Sequence, residues 1–253
     1  MLKAQRGGYM AVGQMEISSE VLGRRVLFSV CLPDPAKVGS GPYPGVLQLH
    51  GRGDNHTSWV VRSKIANYAE DLPVAIIMPD GNLSYWTNWW IRGAGNEYED
   101  FLMDELLPAC EGMFALRAGR WGIGGLSMGG YGAIRLGLKY PDRFASIAAH
   151  SSVIFDREEL EEQRPDLRLE ERMDGDAFAH AETALANAYP PELMFDCGLS
   201  DHEHLLAGNR AFHAHLDRIG YGHCYQEHQG GHTWDYWDEH VSHALRRHVA
   251  VLT

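Results

Sequence analysis

The chain reads as a single α/β domain of 253 residues, with a mostly parallel central sheet, an antiparallel strand pair at its N-terminus and helices on both faces. Three observations predict this. Short apolar runs, "PGVLQLHG", "VAIIMPDG" and "RWGIGG", have the form of strands buried on both faces and closed by glycine. Helix-like stretches lie between them, and that βαβ alternation calls for a parallel sheet. The composition, 45% hydrophobic and 22% charged residues, supports one large core, and the length leaves little room for a second full domain.

Each element follows from a local pattern. "YMAVGQMEISSEV" and "RRVLFSVCLP" alternate apolar and polar residues around Leu22-Gly23, as an antiparallel pair does. Helical stretches are expected from Trp59 to Glu70 and from Glu97 to Met113, on either side of "VAIIMPDG". "GGYGAIRLGLKYP" is a helix stopped by Pro141, and "FASIAAHS" is the next strand. Residues 156–189 are polar and broken by Pro165 and Gly175, so they read as a small cap-like insertion over the sheet. "PELMFDCG" and "HCYQEHQG" are the last strands; "HLLAGNRAFHAHLDRIG" and "WDYWDEHVSHALRRHVAVL" are the last helices.

Charge narrows the partners. With 34 acidic against 22 basic residues the net charge is -12, which argues against nucleic acid and against an anionic membrane. No apolar run is long enough to span a bilayer, and the first residues lack the apolar core of a signal peptide, so a cytoplasmic protein is expected. Cys31, Cys110, Cys197 and Cys224 show no CxxC spacing and read as reduced core thiols.

Chemistry centres on "GIGGLSMGGYG". Gly125-Leu126-Ser127-Met128-Gly129 matches G-x-S-x-G between a predicted strand and a predicted helix, the context in which that motif presents a nucleophile. The glycines relieve a turn with unfavourable backbone angles and leave Ser127 exposed above the strand ends. A serine hydroxyl needs a base. Among 14 histidines, His232 sits in the glycine-flanked loop "QGGHTWDYW" between the last strand and the last helix. The histidines at 202, 204, 213, 215, 240, 243 and 248 fall at helical spacing or in polar segments and are assigned to surface or capping roles. His202 and His204 lack a third ligand, and no metal site is assigned. "FDCGLSDHE" offers two acids: Asp196 lies within the strand, and Asp201 lies just past its C-terminal end, where catalytic groups gather in such sheets. Asp201 is therefore the expected partner of His232. Backbone amides of Arg52, in "HGRGDN", and of Met128, at the helix start, are the expected oxyanion hole. The Arg52 side chain is expected to be solvated; beside the site it would favour an anionic substrate group, an effect that the acidity of residues 156–189 opposes.

Taken in order, "LHGRGDNHTSW", "NEYEDFLMDELLP", "GLSMGGYGAI", "FDCGLSD" and "GGHTWDYW" resemble the esterase family that includes esterase D-like enzymes, tributyrin esterases, feruloyl esterases and mycolyltransferases. The resemblance covers nearly the whole chain. It implies an α/β-hydrolase fold, no cofactor, and acyl cleavage or transfer through a serine acyl-enzyme. It also implies Ser127 as nucleophile, His232 as base, Asp201 as acid, and Arg52 and Met128 as oxyanion hole. The S-formylglutathione hydrolases of the group carry a cysteine-containing loop where this chain has "HGRGDN", which counts against a glutathione thioester. Mycolyltransferases are secreted, which counts against that branch.

The aromatic loop "NLSYWTNWWIRGAGNEYEDF" follows a strand end on the same edge as Ser127 and is expected to line an apolar pocket, with Trp86 and Trp89 binding substrate. The function expected is that of a serine carboxylesterase for small or aromatic acyl esters, its partner a small-molecule ester; self-association into a homo-oligomer is compatible with the sequence. An acyltransferase using the same triad, or a silent binding module on this fold, are the competing readings.

Overall fold

β1 (Ala11–Ser19) and β2 (Arg24–Leu32) run antiparallel from the pairing of Ala11 with Leu32 to that of Ser19 with Arg24 in the computed structural model, which describes residues 10–253. The start of the predicted first run at Tyr9, and the first nine residues of the N-terminal stretch read for a leader, lie outside the described residues. Gly23 turns the chain at a φ of 62°, a left-handed angle that glycine adopts without steric cost. β2 then pairs antiparallel with β4 (Ala75–Pro79). From there all pairings are parallel, through β3 (Gly45–Leu49), β5 (Trp121–Leu126), β6 (Phe144–His150), β7 (Glu192–Gly198) and β8 (His223–His228). The strand order is β1-β2-β4-β3-β5-β6-β7-β8.

The continuous apolar runs are strands with two buried faces. In β4, Ala75 and Ile77 pack into one core while Ile76 and Met78 pack into another on the opposite side. Eleven helices surround the sheet among the described residues: α1 (Pro35–Val38), α2 (Ser58–Arg62), α3 (Ile65–Ala69), α4 (Tyr98–Asp100), α5 (Leu107–Met113), α6 (Met128–Lys139), α7 (Arg157–Gln163), α8 (Leu169–Gly175), α9 (Ala177–Leu185), α10 (Glu203–Ile219) and α11 (Trp234–Leu252). A π-helical turn, Phe101–Leu106, joins α4 to α5, so the expected helix from Glu97 to Met113 is continuous. The stretch from Trp59 to Glu70 instead splits at Ser63 and Lys64, where Ser63 is extended and its hydroxyl bonds the Trp59 carbonyl.

Residues 156–189 fold as α7, α8 and α9 and contribute more to the interior than their polarity suggests. Ala177, Ala181 and Ala184 of α9 are fully buried in the main core beside α6, and Leu160 of α7 packs with Trp89, Tyr131 and Phe155. Their small size lets α9 approach α6 closely. A buried ionic cluster ties this segment down: Arg135 and Lys139 of α6 each bond both Glu99 and Asp174. Two histidines and one cysteine depart from expectation. His248 is fully buried with Nδ1 at 2.8 Å from Ser146 Oγ, and His215 is nearly buried against Phe178, because both fall on the inward stripes of their helices. Cys31, Cys110 and Cys197 are buried free thiols, as expected, whereas Cys224 is an exposed free thiol on the edge strand β8. No helix among the described residues is long and apolar enough to cross a membrane.

Candidate active site

The C-terminal ends of the parallel strands share one edge, and that edge gathers the polar groups expected from sequence. β5 delivers Ser127 into the turn before α6 at φ 52°, ψ −115°, a left-handed conformation that costs on the order of 1 kcal/mol or more for a non-glycine residue. Packing holds it there. A Cβ on Gly125 would stand 2.3 Å from the Gly129 carbonyl oxygen, and one on Gly129 would stand 2.5 Å from the Leu49 oxygen, so β3, β5 and the start of α6 meet at backbone contact distance. The Ser127 N–H donates to the His150 carbonyl at 2.9 Å, which anchors the turn to β6.

His232 reaches this turn from the loop between β8 and α11. Its Nε2 lies 3.1 Å from Ser127 Oγ, and its Nδ1 lies 3.0 and 3.3 Å from the two carboxylate oxygens of Asp201. With Nδ1–H donating to the carboxylate, Nε2 keeps the lone pair that faces the serine. The Asp201 side chain is wholly shielded from solvent, and that of His232 is 22% exposed. Burial by itself would raise the Asp201 pKa; hydrogen bonds from His232 and Ser151 and the His202 N–H prevail and hold it below the usual carboxylate range. Trp237 stands edge-on to the His232 ring at 4.9 Å and donates its indole N–H to Ser151 Oγ at 3.2 Å, so one tryptophan braces both the histidine and a partner of the aspartate.

The sequence left a choice of acids, and the structure separates them. Asp196 faces into the protein, where its carboxylate takes His150 Nδ1–H at 2.7 Å and the Tyr236 hydroxyl at 2.7 Å. Sequence reading missed His150, Ser151, Tyr236 and Trp237. His150 was detectable as the last residue of "FASIAAHS", at a strand end beside Ser127.

Arg52 follows β3 in a tight turn, and its amide has no acceptor among the described residues. Met128 opens α6, where an amide has no intrahelical acceptor. The turn bearing Arg52 is held from below by buried His50, whose Nδ1 bonds the Gly51 carbonyl at 2.8 Å and whose Nε2 accepts the Gly81 N–H at 2.9 Å. Burial lowers the His50 pKa, consistent with this neutral pattern of one donor and one acceptor. Ser127 and His232 open into a cleft of about 320 Å³ lined also by Arg52, Asp54, Arg62 and Trp234. A larger depression of about 580 Å³ lies beyond Gly53 and Asp54, lined by Arg24, Arg25 and Tyr98; Ser127 and His232 are not part of it.

Trp86 and Trp89 do not line the cleft. Trp86 is 0% exposed and fills the space beside Gly81 and Gly132, while Trp89 is buried with its indole N–H bonded to Asp174 at 2.7 Å. Left-handed φ angles at Tyr85 (52°) and Trp86 (60°) rotate the loop so that Tyr85 and Trp90 stack instead, with centroids 3.8 Å apart. That pair lines a shallow cavity of about 430 Å³ that shares Arg52 with the Ser127 cleft.

Residues 19–248 match the family model described as "Putative esterase". The chain belongs to that esterase family. An acetyl esterase of Caldicellulosiruptor saccharolyticus is 26% identical over 262 residues, which cover 93% of this chain and 97% of that one. Among solved structures, the fluorophosphonate-binding serine hydrolase FphF of Staphylococcus aureus is similar at a TM-score of 0.85 and 25% identity, covering 96% of this chain and 99% of that one. The S-formylglutathione hydrolase FrmB of Staphylococcus aureus is similar at a TM-score of 0.80 and 26% identity, covering 95% and 99%. As a member of the esterase family, the protein is a carboxylic ester hydrolase with the α/β-hydrolase fold.

Proposed function

We propose that the chain is a serine carboxylesterase for small or aromatic acyl esters, with Ser127, His232 and Asp201 as its catalytic triad. The observation that carries this reading is the unbroken line from Asp201 through His232 to Ser127 Oγ, with His232 Nε2 at 3.1 Å from the hydroxyl. His232 Nε2 takes the hydroxyl proton as Oγ attacks the ester carbonyl, and the Asp201 carboxylate stabilises the imidazolium through Nδ1–H. The carbonyl oxygen, now an oxyanion, accepts the amides of Arg52 and Met128. His232 then gives its proton to the departing alkoxide, and the acyl group remains on Ser127. Water repeats the cycle: His232 deprotonates it, hydroxide attacks the acyl carbonyl, and the proton returns to Ser127 as the acid leaves.

The partner in this reading is a small-molecule ester. Its apolar part lies toward the Tyr85–Trp90 stack, across Arg52 from the nucleophile. Residues 156–189 act as a cap at this rim, where Arg164 stands 4.7 Å from the Trp90 ring and bonds the Trp90 carbonyl. The test is hydrolysis of p-nitrophenyl acetate, butyrate and octanoate and of methyl ferulate by the wild type and Ser127→Ala. At least one ester turned over by the wild type, with a loss of about a thousandfold or more in the variant, is the expected result. Equal rates in the two proteins would overturn the assignment. Ester product formed from an added alcohol, in excess over free acid, would move the reading to acyl transfer.

A further inference from the structure

β8 is the edge strand of the sheet opposite β1, and α10 packs beside it. Where the two meet, away from the residues used above, three side chains with ligand atoms converge: His213 and Asp217, one turn apart on α10, and His223, the first residue of β8. His213 Nδ1 lies 2.7 Å from His223 Nε2, His213 Nε2 lies 3.6 Å from an Asp217 carboxylate oxygen, and one atom from each residue falls within 4.8 Å of the others.

We propose that His213, Asp217 and His223 form a site for a divalent transition-metal ion of the zinc, copper or nickel class. The tautomer of His223 is set for it. His223 Nδ1–H donates to the Tyr221 carbonyl at 2.8 Å, which leaves the lone pair on Nε2, directed at His213. A backbone carbonyl on the far nitrogen is a recurrent outer partner of metal-bound histidine and adds to its basicity. His213 supplies the second imidazole. If it is neutral and donates Nδ1–H to His223, its Nε2 lone pair faces the Asp217 carboxylate with no proton between two acceptors. Either a second proton on His213, or a cation that takes Nδ1 and leaves the ring proton on Nε2 facing Asp217, removes that conflict.

An ion with nitrogen ligands at about 2.0–2.1 Å and tetrahedral angles sets them roughly 3.3 Å apart, so the two rings need open by only a few tenths of an ångström. Two imidazoles and a carboxylate suit zinc, copper or nickel better than magnesium or calcium. Asp217 is 66% exposed, which leaves water access to the remaining position. The nearby cation Arg210 is paired with Glu227 at 2.7 Å, and the Tyr225 hydroxyl also bonds Glu227; Arg218, next to Asp217, is directed at His215 instead. The ion would link α10, whose first residue follows closely on Asp201, to β8, whose end leads into the His232 loop.

The test is isothermal titration of zinc chloride into chelator-treated protein at pH 7.5 and at pH 5.5, followed by copper(II) electron spin resonance. One saturable site is expected, at least tenfold weaker in His213→Ala and His223→Ala, weakened in the exposed variant Asp217→Asn, and unchanged in His228→Ala and Cys224→Ser. Binding should fall at least tenfold at pH 5.5, since protons compete for both imidazoles. Nitrogen couplings from two imidazoles are expected in the copper spectrum, a readout that needs no variant. Absence of saturable binding would overturn the proposal, leaving a proton-sharing histidine pair; so would wild-type affinity in both His213→Ala and His223→Ala, or a copper spectrum lacking two-imidazole couplings.

Discussion

Asp196 and Asp201 are the same residue type on one strand and its exit loop, yet they serve different histidines. Asp196 is sealed against His150 and Tyr236, and Asp201 faces His232 at the cleft. The roles are not exchangeable, and Asp201→Asn should lower kcat by about three to four powers of ten while the fold persists, because the amide favours the wrong His232 tautomer. Steady-state kinetics with circular dichroism on the same sample checks this. At this scale the sequence was legible for residues tied to a motif or a strand end: Ser127, His232 and Asp201 each stand where a strand gives way to a loop. Trp86 and Trp89 were misread because a loop has no periodicity to tell inward from outward. The left-handed angles at Tyr85 and Trp86 decide which rings face the opening, and no residue pattern announces left-handed tyrosine and tryptophan.

Among the elements, the junction of β3, β5 and α6 leaves the least room for change. Gly129→Ala would press a methyl into the Leu49 and His50 carbonyls, so α6 must shift away from β3 and carry Ser127 with it. A fall of at least a hundredfold in kcat with a lower melting temperature is expected; thermal melts paired with esterase assays decide it. β3, β4 and β5 were readable because their runs are nearly continuously apolar, β1 and β2 because theirs alternate, and α10 and α11 because their apolar residues recur at helical spacing. The segment 156–189 was legible only as polar. Its inward face is built from small alanines and from a salt-bridged cluster, and neither has the look of a core in sequence. Within that cluster Arg135 is fully buried between Glu99 and Asp174. Glu99→Gln removes one of its counter-charges and is expected to cost about 3 kcal/mol, read from urea unfolding at pH 7.

For the whole molecule, acid is the condition to which stability should respond most. Burial alone would raise the pKa values of Glu99 and Asp174, but the charges of Arg135 and Lys139 hold both below the ordinary carboxylate range. Their stabilisation is present above the unfolded-state values and is lost as pH falls through the lower folded-state values. His248 acts earlier. Burial depresses its pKa from 6.5 to about 3, so below pH 6.5 the unfolded chain takes up a proton that the folded chain refuses. Stability should therefore decline on acidification by up to about 1.4 kcal/mol per pH unit from this group. His248→Gln removes the titration, and urea unfolding at pH 7, 5.5 and 4.5 should give a flatter profile for the variant than for the wild type.

The cysteines have a practical side as well. Burial pushes the pKa values of Cys31, Cys110 and Cys197 up to about 12, while Cys224 sits in the open on the edge strand β8. A maleimide dye or a surface tether would therefore attach to the native folded chain at one address, with no engineering of the sequence. Immobilised through that strand, the enzyme would keep the edge that carries Ser127, its proposed nucleophile, clear of the linkage.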